Sequence, residues 1–516
     1  MPLLHGASLR ALLAGAAVAH LSSFPIVRAS PCAPPQPLRL RAFASHSASE
    51  PPPPPPSSPS PSTSRVLASA AAACDCEEGA KPAICTADEL HYAPVPGTEW
   101  RLALWRYRPP PEAPKRNHPL MLLSGVATNA VGFDLSPGAS FARHMSMQGF
   151  DTWIVELRGA GLSTRGSELA AASTKSDMSS NSELVPDASL TSSLEEVADK
   201  FLGLMELPQT SAIYDQISQL SQRLVKILGE GQQNVSPRLF GWQERLSATI
   251  EDLQKQLELI ISYDWDFDHY LEEDVPAAID YIKQQSVPKD GKLLAIGHSM
   301  GGILLYAMVS KCGFEGADPE LAAIVTLASS VDYTTSNSSL KLFVPLADPA
   351  EMLRVPAVPL GTLLSTTYPI SSRAPYILSL LRSQISAKDM MDPELLSKLI
   401  LNNFCTVPAK VLLQLATSFR DGGLRNRAGT FFFKEHLGKI KVPVLALAGD
   451  EDLICPPEAV YETVKVIPQH LVTYKVFGKP EGPHYAHYDL VGGRKAVHEV
   501  YPCIIEFLSQ HDDVSS

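Results

Sequence analysis

No run of roughly 18 consecutive apolar residues occurs in the chain, so the sequence offers no conventional membrane-spanning helix. Positive charge is also short: 43 Lys and Arg stand against 55 Asp and Glu, for a formal net charge of -12 at pH 7. Nucleic acid is excluded as a partner class, because phosphate binding needs concentrated positive charge. Cysteine is scarce, with eight in 516 residues, at positions 32, 74, 76, 85, 312, 405, 455 and 503. That number and scatter exclude a disulfide scaffold. Cys74, Cys76 and Cys85 lie close together but lack a fourth ligand and sit in a stretch that reads as disordered, so neither a metal nor another cofactor is expected.

The first 70 residues are nearly free of acids, with Glu50 as the sole exception, while Arg10, Arg28, Arg39, Arg41 and Arg65 are spread among Ser and Ala. An acid-poor, Ser-rich, Arg-bearing end reads as an organelle transit peptide. Pro51 to Pro56 and the Ser/Pro stretch to Ser64 follow as a solvated spacer. The expected address is a plastid, either the stroma or a membrane periphery, with the mitochondrion as the alternative; the mildly apolar Leu12 to Val18 keeps secretion as a rival.

Residues 71–91 read as a linker. From about Tyr92, short apolar runs alternate with helical stretches. Strands are predicted at Trp100–Trp105, Leu120–Leu123, Thr152–Leu157, Leu293–Ile296, Ile324–Ala328, Val444–Ala448 and Val472–Phe477. Helices are predicted at Phe141–Gln148, Tyr270–Lys283, Ile303–Val309, Glu458–Val466 and Val497–Leu508. Strands buried on both faces and separated by helices imply an α/β fold: an open, mostly parallel sheet with helices on both sides. Core sequence occupies 92–163, 264–332 and 441–512. An insertion at 164–263 carries two apolar stripes at helical spacing, Ile217 to Leu228 and Leu246 to Ile260, and reads as a structural insert, a lid or an arm for a protein partner. A second interruption, 333–440, falls between two sheet strands and reads as a cap over the strand ends, with Leu353, Val355, Val358, Leu360 and Ile377 as lining for an apolar channel.

Gly297-His298-Ser299-Met300-Gly301 lies where the strand Leu293–Ile296 gives way to a small-residue helix. A serine in so sharp a turn presents its hydroxyl above the sheet, which makes Ser299 the candidate nucleophile. The hydroxyl needs a base, and His487, in the last strand-to-helix loop, is the first choice, with His484 as competitor. The base needs a carboxylate. The loop Gly449-Asp450-Glu451-Asp452 supplies Asp452, with Asp450 and Asp332 as alternatives. His298 is expected to point away along the turn and to pack or hydrogen-bond locally. The tetrahedral oxyanion would be held by the backbone N–H of Met300 and of Val126, with Gly125 keeping the chain close.

These segments resemble the α/β-hydrolase superfamily, most closely its acid-lipase branch. The resemblance rests on Ser124-Gly125-Val126; on Gly149-Phe150-Asp151-Thr152-Trp153 running to Arg158-Gly159; on Asp274-Val275-Pro276-Ala277-Ala278-Ile279-Asp280-Tyr281-Ile282; and on Tyr485, His487 and Asp489. It covers about 92–163 and 264–512 and implies a serine hydrolase that cleaves a carboxylic ester through an acyl-enzyme. Ser124 stands where that branch has His, and Met300 where it tends to have Gln, so the support of the oxyanion loop must differ. With the amino-terminal address, the chain looks like a plant, plastid-targeted member acting on a small-molecule or lipid ester, with room for peripheral membrane contact. Transfer of the acyl group to an alcohol and a catalytically silent interaction protein are the competing readings.

Overall fold

The computed structural model describes residues 86–166, 262–346, 356–362 and 383–513. Both apolar stripes of the insertion, the cysteine cluster at 74–85, and Leu353, Val355 and Ile377 of the expected channel lie outside these residues.

Eight strands form the main sheet: β1 (Glu89–Pro94), β2 (Trp100–Tyr107), β3 (Leu120–Leu123), β4 (Thr152–Val155), β5 (Leu293–His298), β6 (Leu321–Leu327), β7 (Val444–Gly449) and β8 (Val472–Phe477). Their spatial order is β1-β2-β4-β3-β5-β6-β7-β8, with a two-residue strand, Thr164–Arg165, added to β2. β1 and β2 run antiparallel to their neighbours, and from β4 to β8 every pairing is parallel. The expected open α/β sheet is therefore present.

Every residue of β3, β4, β5 and β7 is buried, as continuous apolar runs require of strands covered on both sides. Side chains alternate between two cores. Met121, Leu123, Trp153, Leu293 and Ala295 face one; Leu120, Leu122, Ile154, Leu294 and Ile296 face the other. Helices α1 (Phe141–Met147), α2 (Val275–Ser286), α3 (Met300–Glu315), α4 (Pro393–Asn402), α5 (Ala409–Ala416), α6 (Pro457–Val464) and α7 (Ala496–Gln510) complete the longer elements. Residues of α2 and α3 fill the first core, and those of α1, α6 and α7 the second.

Two readings shift. The folded core begins at β1, before Tyr92, because β1 is an edge strand with only Ala93 fully covered and shows no apolar run. The single helix expected over Tyr270–Lys283 is a π turn at Tyr270–Asp274 followed by α2. Pro276 has no N–H to donate and its ring crowds the carbonyl four residues back, so the helix widens at its start. The turn aims Asp274 at Arg158. The Nε of Arg158 lies 2.8 Å and its Nη2 2.6 Å from Asp274 Oδ1, in a buried pair that joins two of the motifs read in the sequence.

Candidate active site

β5 runs into Ser299, which has φ 53° and ψ -119° and caps α3. That left-handed backbone costs about 1–3 kcal/mol and persists only where its surroundings enforce it. The glycines enforce it here. A Cβ on Gly297 would lie 2.3 Å from the Gly302 nitrogen, and one on Gly301 would lie 2.1 Å from the Leu123 carbonyl oxygen. Strand, turn and helix close so tightly that side chains at those two positions cannot fit. Ser299 itself remains partly accessible, whereas both its neighbours are buried.

His487 sits in the loop after β8, 4% exposed, and its Nδ1 lies 2.9 Å from Asp452 Oδ2. Asp452 is 1% exposed in the loop after β7. Its other oxygen accepts the N–H groups of Ile454 at 2.9 Å and Cys455 at 2.8 Å. Those two amides fix which carboxylate oxygen faces the histidine. The competitors form separate contacts. His484 Nδ1 lies 2.6 Å from Asp450 Oδ2, and Asp450 raises the His484 pKa. Asp332 is taken up by Lys434 and by Thr334, whose N–H donates to it at 2.8 Å.

His298 packs, but its hydrogen bond reaches a distant loop and not its own turn. It is buried, its Nε2–H donates to the His487 carbonyl at 2.9 Å, and the two rings lie 4.8 Å apart. The residue before Ser299 thus supports the histidine loop directly. Burial, reinforced by His487, pushes the His298 pKa down to about 3, so it remains a neutral donor and adds no second positive charge beside His487. No feature of the sequence pointed to this contact across 189 positions.

The histidine loop has a second anchor in Asp489, a member of the Tyr485, His487 and Asp489 motif. Its carboxylate accepts Ala486 N–H at 2.8 Å, Ala387 N–H at 2.7 Å and Ser386 O–H at 2.6 Å. Burial raises its pKa to about 6 despite those three donors.

On the opposite side, the loop after β3 approaches Ser299. A Cβ on Gly125 would lie 3.3 Å from Ser299 Cβ, so the absence of one lets the backbone stand against the serine. Met300 is the first residue of α3, and its N–H belongs to the helix-start amides that lack an intrahelical acceptor. Val126 is half-buried and follows Gly125 directly. The structure therefore brings Asp452 onto His487, His487 onto the residue beside Ser299, and the Gly125–Val126 loop onto Ser299 itself. Among the described residues no group of three His, Cys, Asp or Glu side chains is arranged to hold a metal, and no helix is long and apolar enough to cross a membrane.

A family model described as "alpha/beta hydrolase fold" matches residues 118–489, from the start of β3 through the histidine loop. No curated protein matches the chain. Among solved structures, a soluble variant of monoglyceride lipase from Saccharomyces cerevisiae aligns at 12% identity with a TM-score of 0.45, covering 83% of this chain and 97% of that one. A thermophilic esterase from Thermogutta terrifontis aligns at 13% identity with a TM-score of 0.41, covering 82% and 100%. Proline iminopeptidase from Mycobacterium smegmatis aligns at 13% identity with a TM-score of 0.39, covering 82% and 99%.

Proposed function

This chain belongs to the alpha/beta hydrolase fold family, and we propose that it is a serine hydrolase that cleaves a carboxylic ester. The observation that carries the reading is the Asp452–His487 pair, tied through His298 to the strained turn that bears Ser299.

With Asp452 accepting the Nδ1 proton, His487 presents an unprotonated Nε2. That nitrogen takes the Ser299 proton as the oxygen attacks the ester carbonyl, and Asp452 steadies the imidazolium that forms. The carbonyl oxygen becomes an oxyanion and is received by the N–H groups of Met300 and Val126. The bond to the alcohol then breaks, the alcohol leaves with the proton from His487, and Ser299 carries the acyl group. Water, deprotonated by the same histidine, releases the acid and restores the serine.

We further propose that the ester is that of a lipid and that the chain stands close to the acid-lipase branch, as a plastid member. The support is the motif set, the acid-poor amino-terminal segment and the apolar positions within 333–440, of which Val358 and Leu360 pack against the first core. Each buried CH₂ is worth about 0.8 kcal/mol, or roughly fourfold per carbon. Rates on para-nitrophenyl esters test the whole reading. kcat/KM should rise from two-carbon to eight-carbon acyl chains in the native protein and vanish in Ser299→Ala. A flat or falling series would remove the lipid assignment while sparing the hydrolase, and undiminished turnover in Ser299→Ala would remove both. A long-chain alcohol added to the same assay distinguishes hydrolysis from acyl transfer: a new ester as main product would favour transfer.

A further inference from the structure

The loop after β3 lacks the histidine that the resemblance would place at Ser124, and Ser124 bonds only weakly within its own turn, its Oγ lying 3.3 Å from the Asn129 carbonyl. The loop is held from elsewhere. Thr128 Oγ–H donates to the Gly125 carbonyl at 2.8 Å. In a trans peptide the C=O and the following N–H point in opposite directions. Pinning the Gly125 carbonyl to Thr128 therefore turns the Val126 N–H away from Thr128, and among the described residues that N–H meets no acceptor. Ala127 follows with a strained φ of 53°.

The strain is retained by the chain that leaves α4. Cys405 N–H donates to the Ala127 carbonyl at 2.7 Å, and Asn129 N–H donates to the Asn403 carbonyl at 3.0 Å. Asn403 is fully buried. Its Oδ1 accepts Gly132 N–H at 2.9 Å, while its Nδ2 donates to the Tyr488 hydroxyl at 2.6 Å. Tyr488 adjoins His487 and packs on His298, with ring centroids 4.5 Å apart. One buried amide thereby links the segment at 402–405, the loop after β3 and the histidine loop.

We propose that Thr128 and Asn403 are positioning residues for the oxyanion-binding loop, with Thr128 setting the direction of the Val126 N–H and Asn403 holding that loop and the histidine loop in register. This rests on the serine-hydrolase reading. In it, Asn403, which lies within the 333–440 segment, supplies one of the two supports of the loop that bears the Val126 donor.

The test compares Thr128→Val with Thr128→Ser, the first removing the hydroxyl at nearly constant volume and the second restoring it. A misdirected oxyanion donor acts on the transition state, so Thr128→Val should lower kcat about 10- to 100-fold and leave KM unchanged. Binding of an alkyl trifluoromethyl ketone, which forms a tetrahedral adduct on an activated serine, should weaken by the same factor. Thr128→Ser should recover most of both losses, and Asn403→Ala should shift kcat and ketone binding in the same direction as Thr128→Val. An unchanged kcat in Thr128→Val, a loss confined to KM, or a Thr128→Ser variant as impaired as Thr128→Val would overturn the proposal. If Thr128→Val fails to fold, the Thr128→Ser and Asn403→Ala ketone affinities decide it: native affinity in Asn403→Ala would overturn it. Turnover and ketone binding by the native protein are measured alongside, and their absence would instead remove the hydrolase reading.

Discussion

Asp452→Asn is expected to lower kcat by about 10⁴, the loss that follows when the same carboxylate is replaced in a serine protease. The structure supplies the reason. One oxygen of Asp452 accepts two backbone N–H groups, from Ile454 and Cys455, and the other faces His487 Nδ1. An asparagine must choose an orientation. Turning its NH₂ toward the two amides would set donors against donors and leave both unsatisfied, at about 1–3 kcal/mol each. Its oxygen therefore takes the amides, and its NH₂ faces Nδ1. His487 must then accept at Nδ1 and carry its proton on Nε2, the nitrogen that has to receive the Ser299 proton. A loss of 10⁴ corresponds to about 5.4 kcal/mol of transition-state stabilisation. The assay is kcat/KM on para-nitrophenyl butyrate at neutral pH, with a thermal melt to show that the fold is intact. Asp450→Asn, which alters the partner of His484, should cost far less. A loss below about tenfold in Asp452→Asn, or a larger loss in Asp450→Asn or Asp332→Asn, would refute the reasoning.

Three further predictions concern stability. Arg158→Met should destabilise the protein by about 3–5 kcal/mol in urea unfolding, because it strands the fully buried Asp274; adding Asp274→Leu should recover part of the loss. His118 is held between Asp512 and Asp290, both at 3.0 Å, and these carboxylates raise its pKa against the opposing effect of burial. A raised histidine contributes stability that is complete below its unfolded value near 6.5 and is lost as pH rises through the folded value. His118→Gln should therefore lower Tm more at mildly acidic than at alkaline pH, and a pH-independent difference would contradict this. Asp489 works in the opposite sense to most carboxylates: burial raises its pKa from 3.8 to about 6, so the native chain binds more protons across that range. As pH rises from well below 3.8 to well above 6, the stability of the native protein relative to Asp489→Asn should fall by about 3 kcal/mol in total, as measured by urea midpoints across that range.

The sheet was legible because its central strands are covered on both faces and appear as uninterrupted apolar runs such as Leu120–Leu123 and Val444–Ala448. β1 was not, since a half-exposed edge strand has no such signature. The sharp turn at Ser299 was marked by its glycines, whose necessity is visible in the distances at Gly297 and Gly301. The acid was harder. Sequence favoured Asp452 for its depth in the turn and kept Asp450 and Asp332 as alternatives; the backbone amides and partners that distinguish the three are encoded by no local pattern. His298, Asn403 and Thr128 illustrate the limit more sharply. His298 and Asn403 act across large separations in the chain, and Thr128 acts on a carbonyl three residues away whose role depends on the rest of the site. A reading by residue type assigns such positions to packing.

The central claim is that Ser299 is the nucleophile, and mapping a fluorophosphonate adduct tests it most directly. The native protein should gain one adduct, and peptide mass spectrometry should place it on Ser299, while Ser299→Ala should gain none and retain the native melting profile. An adduct on another residue, or equal labelling of Ser299→Ala, would contradict the account.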